Sequence, residues 1–553
     1  MSGQILKNVS RGSFYLAAEQ FAALLAGVAY SIIVVRWLGP NSYGLLSLGL
    51  AIVGLATMGT GNFELYLERY AAEYETRGMM SVLQRAHLLT LAMKSTLGVL
   101  VGTALVAGSA WIAQHYQVSL LGRILQILGL LVVFEGFTVT GRAVLFGLQR
   151  FGWIATVSIL AHALKIAVVA LLWWKAKGLL FLSVALVAIG GVQAVALTLL
   201  AVALVRKGRA AVASAPSPAT RALADEEEST PLPSEPLPQA GSLASGIVRY
   251  SMPLYGARAA YLASQNLSRI VLGRFVTPEL LGYYSFALTV VERFATFLYA
   301  LPFSVLPSLT QLVARADRAR FARLVDKSFR LVTTFSCALA TALVLGAEPL
   351  TRLVGGAAYA PAVPVLRILA VVLWLRTSQE PLTMAFYARR QTGRVLGIAV
   401  SRLGLEIGAI LLLLPLFGIR GAAWAAVAAA GLGVAAGLVL LARDLGPGRR
   451  WAVMFKTAAL IGLSAVGAHA LRSIAGPVWV PAMITLVVWV PVFLVAMFVA
   501  DLVTEDDLSL AAGVDIRSPW ARGLRDRLVS ASLRFSRAVG ARRPGALATM
   551  EGS

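Results

Sequence analysis

Thiols and imidazoles are nearly missing from this chain of 553 residues, which has one cysteine, Cys337, and four histidines. A single cysteine excludes an internal disulfide framework, a thiolate metal cluster and a CxxC redox pair. His87, His115, His162 and His469 show no spacing that converges on a metal, so neither a metal site nor a cofactor is expected. His162, three residues before Lys165 in the fifth span, is the one candidate to titrate in a cavity, and a core histidine is the better reading. Charge is scarce as well. Asp, Glu, Lys and Arg make up 14% of the chain, against about 25% in a soluble protein, which excludes an ordinary soluble domain and a disordered one. Acidic residues are the rarer sign: 26 of them face 49 basic residues, leaving a net charge of +23. Nucleic-acid binders gather such charge on soluble surfaces. Here the cations punctuate long apolar runs, and no nucleic-acid partner is expected.

What the chain has in abundance is apolar length. Hydrophobic residues make up 58% of it, and mean hydropathy is +0.77. A hydrocarbon core about 30 Å thick takes about 20 apolar residues per helix. Fourteen stretches meet that need, from 13–35 and 44–66 through 247–273 and 280–303 to 452–473 and 478–500. The expected fold is an all-α polytopic membrane protein with about 14 transmembrane helices. Lys7 and Arg11 precede a first stretch long enough to stay in the membrane, so no cleavable signal peptide is expected. Cytoplasmic loops hold most Lys and Arg. With both termini cytoplasmic, 33 of the 49 basic residues fall on inner segments and 7 on outer loops. The outer loops are short, which leaves no room for an extracytoplasmic catalytic domain; no enzyme and no catalytic residue are expected.

An internal repeat orders the spans. Arg36, Pro40 and Gly44 follow the first span, and Arg274, Pro278 and Gly282 stand at the same spacing before the eighth, 238 residues on. Ile32/Ile270, Ser47/Ser285 and Leu50/Leu288 share that offset, and Phe146/Phe386 with Arg150/Arg390 echo it at 240. Two pseudo-symmetric six-helix lobes follow from this: an N-lobe at 1–205 and a C-lobe at 247–441, with spans thirteen and fourteen at 452–500. Residues 206–246 turn to Ala, Pro, Ser and Glu and read as a flexible cytoplasmic linker. Residues 501–553 form a basic cytoplasmic tail, in which Leu524, Leu528, Ala531 and Phe535 share a helical face suited to the anionic inner leaflet.

The opening of the chain, with its first span ending Val34-Val35-Arg36-Trp37-Leu38-Gly39-Pro40 and a second closing near Glu68-Arg69-Tyr70, resembles the polysaccharide transporter family of lipid-linked oligosaccharide flippases. That family sits within the multidrug, oligosaccharidyl-lipid and polysaccharide exporter superfamily, and the likeness covers roughly residues 5–445. The resemblance implies a V-shaped bacterial inner-membrane transporter. Its lobes would rock about a cationic central cavity and carry an undecaprenyl-diphosphate-linked sugar unit to the outer leaflet for exopolysaccharide, capsule or O-antigen export. Membrane lipids and a polysaccharide polymerase or export machinery would be its partners.

Ionisable residues within spans are functional candidates, because each is costly there. Arg258, Leu262, Gln265 and Arg269 share one face of the seventh span. Arg258 is the first candidate for the lipid diphosphate, followed by Arg293, Arg269, Gln265, Lys165 and Lys94. A guanidinium suits the task because its planar fork binds phosphate oxygens in pairs. Glu19 and Glu135 are the candidate coupling-ion residues. Arg123 and Arg367 lie near span ends and are expected to snorkel to headgroups. Arg376/Glu380 and Arg402/Glu406 are spaced for neutralisation along their own helices. Two other functions fit a polytopic basic chain. A drug/cation antiporter expects an acidic pocket where the clearest polar stripe here is basic. A polyprenyl-dependent glycosyltransferase or ligase expects a sizeable outer loop or acidic motifs at span ends, and the chain has neither.

Overall fold

The computed structural model describes residues 2–213, 243–446 and 448–470. Among these the architecture is helical, and the chain divides into two compact units. The first spans Met1–Phe286 with Val354–Ala358. It holds α1 (Ser2–Ala56), α2 (Glu64–Thr76), α3 (Met80–His115), α4 (Ser119–Leu128), α5 (Leu130–Gly147), α6 (Phe151–Trp174), α7 (Leu179–Ala213), α8 (Leu243–Phe275) and the start of α9 (Pro278–Ala314). The second spans Ala287–Leu353 and Tyr359–Ser553. It holds the rest of α9, most of α10 (Arg318–Gly355), α11 (Val363–Ala388), α12 (Thr392–Phe417), α13 (Ile419–Leu445) and α14 (Arg450–Ala470).

The expected all-α polytopic fold is what the chain adopts. Nine described segments are long and apolar enough to cross a bilayer, and the first of them, Ala18–Thr60, carries two expected spans. Those two are separated at Gly39, whose φ of 66° and ψ of 174° only glycine takes readily, followed by Pro40, which has no N–H to give a helix. The helix α8 is not among the nine, because Arg258, Gln265 and Arg269 interrupt its apolar run.

The second span departs from its expected range of 44–66. After Ala56 the helix tightens into a 3-10 turn at Thr57–Thr60, and Gly61 takes φ 71°. The backbone restarts as α2 at Glu64. A membrane helix can be interrupted this way only where the freed backbone groups find other partners. Here Tyr255 of α8 donates its hydroxyl to the Met58 carbonyl at 2.7 Å. The fourth span is likewise made of two helices, α4 and α5, meeting at Gly129.

Span seven, expected in the C-lobe, forms α8, which lies in the first unit and packs on α1. The two copies of the repeat motif explain the closeness. A Cβ at Gly44 would overlap the Pro278 carbonyl, and one at Gly282 would overlap the Pro40 carbonyl. Each glycine thus lets its helix lie against the other repeat's proline turn. Beside this seam Tyr116, between α3 and α4, donates its hydroxyl to the Ile270 carbonyl at 3.1 Å. Burial holds that phenol above its ordinary pKa, so the donor proton stays in place.

Of the expected linker, residues 206–213 continue α7 and residues 243–246 open α8, while 214–242 lie outside the described residues. The expected span 478–500 and the tail 501–553 lie outside them too.

Candidate functional site: an intramembrane charge cluster

The first unit brings its ionisable side chains together around α2. At its centre Lys94 of α3, 1% exposed, meets the Glu64 carboxylate at 2.7 Å. A lone ammonium at that depth would be expelled or neutralised, so the pair is the condition for keeping either charge. Glu135 of α5 lies beside them and senses both charges. The nearby Thr57 hydroxyl donates to the Gly54 carbonyl at 2.7 Å, and the buried Oε2 of Glu135 has no hydrogen-bond partner among the described residues.

A second pair ties three helices together. Glu19 of α1, 6% exposed, accepts bonds from Arg142 of α5 at 2.6 and 3.2 Å and from Ser158 of α6 at 2.9 Å. The carboxylate is buried, but the guanidinium side chain is 40% exposed. Glu19 therefore holds both terminal nitrogens of Arg142 on a side chain that is otherwise partly exposed. Arg258 stands near the midpoint of α8 and is also exposed. Its charge acts on Glu68 and Glu135, and that of Arg142 acts on Glu68.

The cluster thus has two layers. Glu19, Glu64 and Lys94 are withdrawn into the unit together with Glu135, whereas Arg142, Arg258 and Glu68 are accessible. The accessible layer carries one more positive charge than negative. Along the same helices a cavity of about 210 Å³ opens at the broken second span, lined by Gly59, Gly61, Asn62, Phe63, Leu97, Ser251, Met252 and Tyr255. The buried Ser251 hydroxyl on its wall has no hydrogen-bond partner among the described residues.

The other sequence candidates are placed as follows. Arg269 is half-buried, and its Nη1 donates to the carbonyl of Gln265 on its own helix at 3.1 Å. Lys165 lies over the Tyr30 ring, 4.2 Å from the centroid, a cation–π contact between α6 and α1. Arg293 is half-buried on α9, in the second unit. There charged groups also meet between helices. Arg376 of α11 meets Glu406 of α12 at 3.9 Å, and Arg402 of α12 donates to Gln379 of α11 at 3.3 Å. Arg402 also senses the charge of Glu406 on its own helix. Arg367 bonds the Val344 carbonyl at 3.3 Å.

Three members of the cluster escaped the sequence reading. Glu64 lies inside the expected span 44–66, where its charge alone marked it. Glu68 and Arg142 fell just past span ends and counted as loop residues. Among the described residues no three His, Cys, Asp or Glu side chains converge to hold a metal ion.

The fold has solved counterparts. It is similar to the lipid II flippase MurJ in an inward closed conformation, with a TM-score of 0.58 and 14% identity over 89% of this chain and 100% of that one. It is also similar to an inward-facing multidrug resistance MATE family transporter of the MOP superfamily, with a TM-score of 0.55 and 13% identity over 81% of this chain and 98% of the other. At such identities the likeness is one of fold. No curated protein sequence matches the chain. A family profile does: the one described as polysaccharide biosynthesis protein matches residues 9–313, more than half of the sequence, and the chain belongs to that family.

Proposed function

We propose that the protein is a flippase of the bacterial inner membrane. It carries undecaprenyl-diphosphate-linked oligosaccharide units from the cytoplasmic to the outer leaflet by alternating access, with both termini cytoplasmic, and passes them to polysaccharide polymerase or export machinery. The observation that carries this reading is the pair of accessible guanidiniums, Arg142 and Arg258, in the membrane domain of a polysaccharide biosynthesis protein. The lipid tail of such a substrate can remain in the bilayer, but its diphosphate and sugar hydroxyls are expensive to desolvate. A guanidinium supplies paired donors to phosphate oxygens and stays charged at any physiological pH. Arg142, braced by Glu19, which Ser158 holds in turn, meets the substrate with its orientation already fixed. Lys94 is sealed against Glu64 and supports the site from behind.

Of the two candidate coupling residues, Glu19 has both carboxylate oxygens occupied, whereas Glu135 keeps a buried oxygen open. Glu135 is therefore the better seat for a coupling proton or sodium ion. The same acid-rich inner layer supports a second reading, a drug/cation antiporter. The two separate in cells deleted for the native gene. Arg142→Ala and Arg258→Ala variants that insert normally should abolish surface polysaccharide, with no change in sensitivity to cationic drugs. Normal polymer with both substitutions together would refute the assignment.

A further inference from the structure

Away from that cluster, one end of the second unit gathers cations around a single acid. Arg389, just past α11, and Arg394, in the first turn of α12, both donate to Oδ2 of Asp444 at 2.5 Å. Arg318, opening α10, donates to the backbone carbonyl of the same Asp444, in the last turn of α13. Two guanidiniums thus share the Asp444 carboxylate and a third bonds its backbone carbonyl, leaving three cations around one acid, an excess of two positive charges. Each guanidinium carries five N–H donors and commits one recorded bond to Asp444. The side chains of Arg389 and Arg394 are 26% and 37% exposed, and Arg318 is exposed. The cluster lies at the end of the unit that the loop charge bias assigns to the cytoplasm. From it, α12 runs into the membrane with Leu396, Val400 and Leu405 exposed. The stretch from Arg394 to Leu405 is roughly 16 Å long at the helical rise, about the depth of one leaflet.

We infer that Arg318, Arg389 and Arg394 form a binding site for the phosphate headgroup of an anionic phospholipid, whose acyl chains lie along the exposed apolar side chains of α12. Asp444 gathers and orients the arginines without neutralising them, and the phosphate supplies the missing negative charge through charge-assisted bonds. This site is separate from the substrate cluster of the first unit and does not depend on the flippase reading. A free phosphate ion would satisfy the same donors but would have no use for the apolar flank.

The test is native mass spectrometry of the full-length protein in mild detergent with an equimolar mixture of dioleoylphosphatidylglycerol and dioleoylphosphatidylcholine, which differ in headgroup alone. The wild type should retain the anionic lipid preferentially. The double variant Arg389→Gln/Arg394→Gln should lower the ratio of anionic to zwitterionic adducts by about tenfold, the loss of one charge-assisted bond or more. Asp444→Asn breaks the same ion pairs but keeps every cation, so it should retain or strengthen the preference. An arginine double variant with undiminished preference would overturn the inference. So would an Asp444→Asn variant that loses the preference alongside it, since that marks a purely structural contact. Displacement of the anionic lipid by millimolar inorganic phosphate would show a site for the free ion, and would equally overturn it.

Discussion

Lys94 and Glu64 show what a charge inside a membrane protein requires. Neither is tolerable alone at that depth, and together they form a 2.7 Å pair almost closed to solvent. Lys94→Met should therefore destabilise the protein by about 3 kcal/mol, because it leaves Glu64 buried and uncompensated. The double variant Glu64→Gln/Lys94→Met should recover most of that loss, and thermal unfolding in detergent compares the two. Arg258 is exposed on α8, and the proposed function gives it the substrate phosphate as a ligand. Arg258→Ala should leave the unfolding temperature close to that of the wild type while lowering transport at least about tenfold, the worth of a charge-assisted bond. Glu19→Gln should fall between these cases. Arg142 keeps its charge but loses its brace, so the Glu19→Gln variant should transport better than Arg142→Ala and worse than wild type in the same cell-surface polysaccharide assay.

At the scale of elements, glycine decides where helices bend and how closely they pass. Gly39 and Gly44 separate these two roles. Gly39 has a positive φ and nothing within 4 Å of an added Cβ, whereas Gly44 is helical and lies against the Pro278 backbone. Gly39→Ala should cost about 1–3 kcal/mol of backbone strain. Gly44→Ala and Gly282→Ala must push two helices apart and should sharply lower the yield of folded protein, read by size-exclusion profile. Much at this scale was legible in the sequence. The constant offset between Arg36-Pro40-Gly44 and Arg274-Pro278-Gly282 announced the repeat, and the apolar runs announced the helices. The break at Gly61 was not legible, because a 3-10 turn and a restarted helix keep the same apolar composition as a continuous span. The placement of α8 in the first unit was also hidden, since a repeat shows equivalence between segments and says nothing of which neighbours they pack on.

Over the whole molecule, the charge of +23 divides into parts with different meanings. On the topology expected from the sequence, most of it falls on the inner loops and would record orientation. Inside the first unit, the cations that stood out along the sequence find partners on other helices: Lys94 with Glu64, and Lys165 with Tyr30. Such cross-helix pairs leave no local spacing to read, which is why Arg258 was legible as a candidate and Arg142, Glu64 and Glu68 were not. The function proposed for these features, lipid-linked oligosaccharide translocation, is tested most directly in liposomes. Purified protein is reconstituted with a labelled undecaprenyl-diphosphate oligosaccharide in the leaflet contacting the protein's cytoplasmic face, and an impermeant glycan-modifying probe reports its arrival on the opposite side. Translocation that requires the protein, and that falls at least about tenfold with Arg142→Ala or Arg258→Ala, is the predicted result. No protein-dependent translocation under any imposed proton or sodium gradient would contradict it.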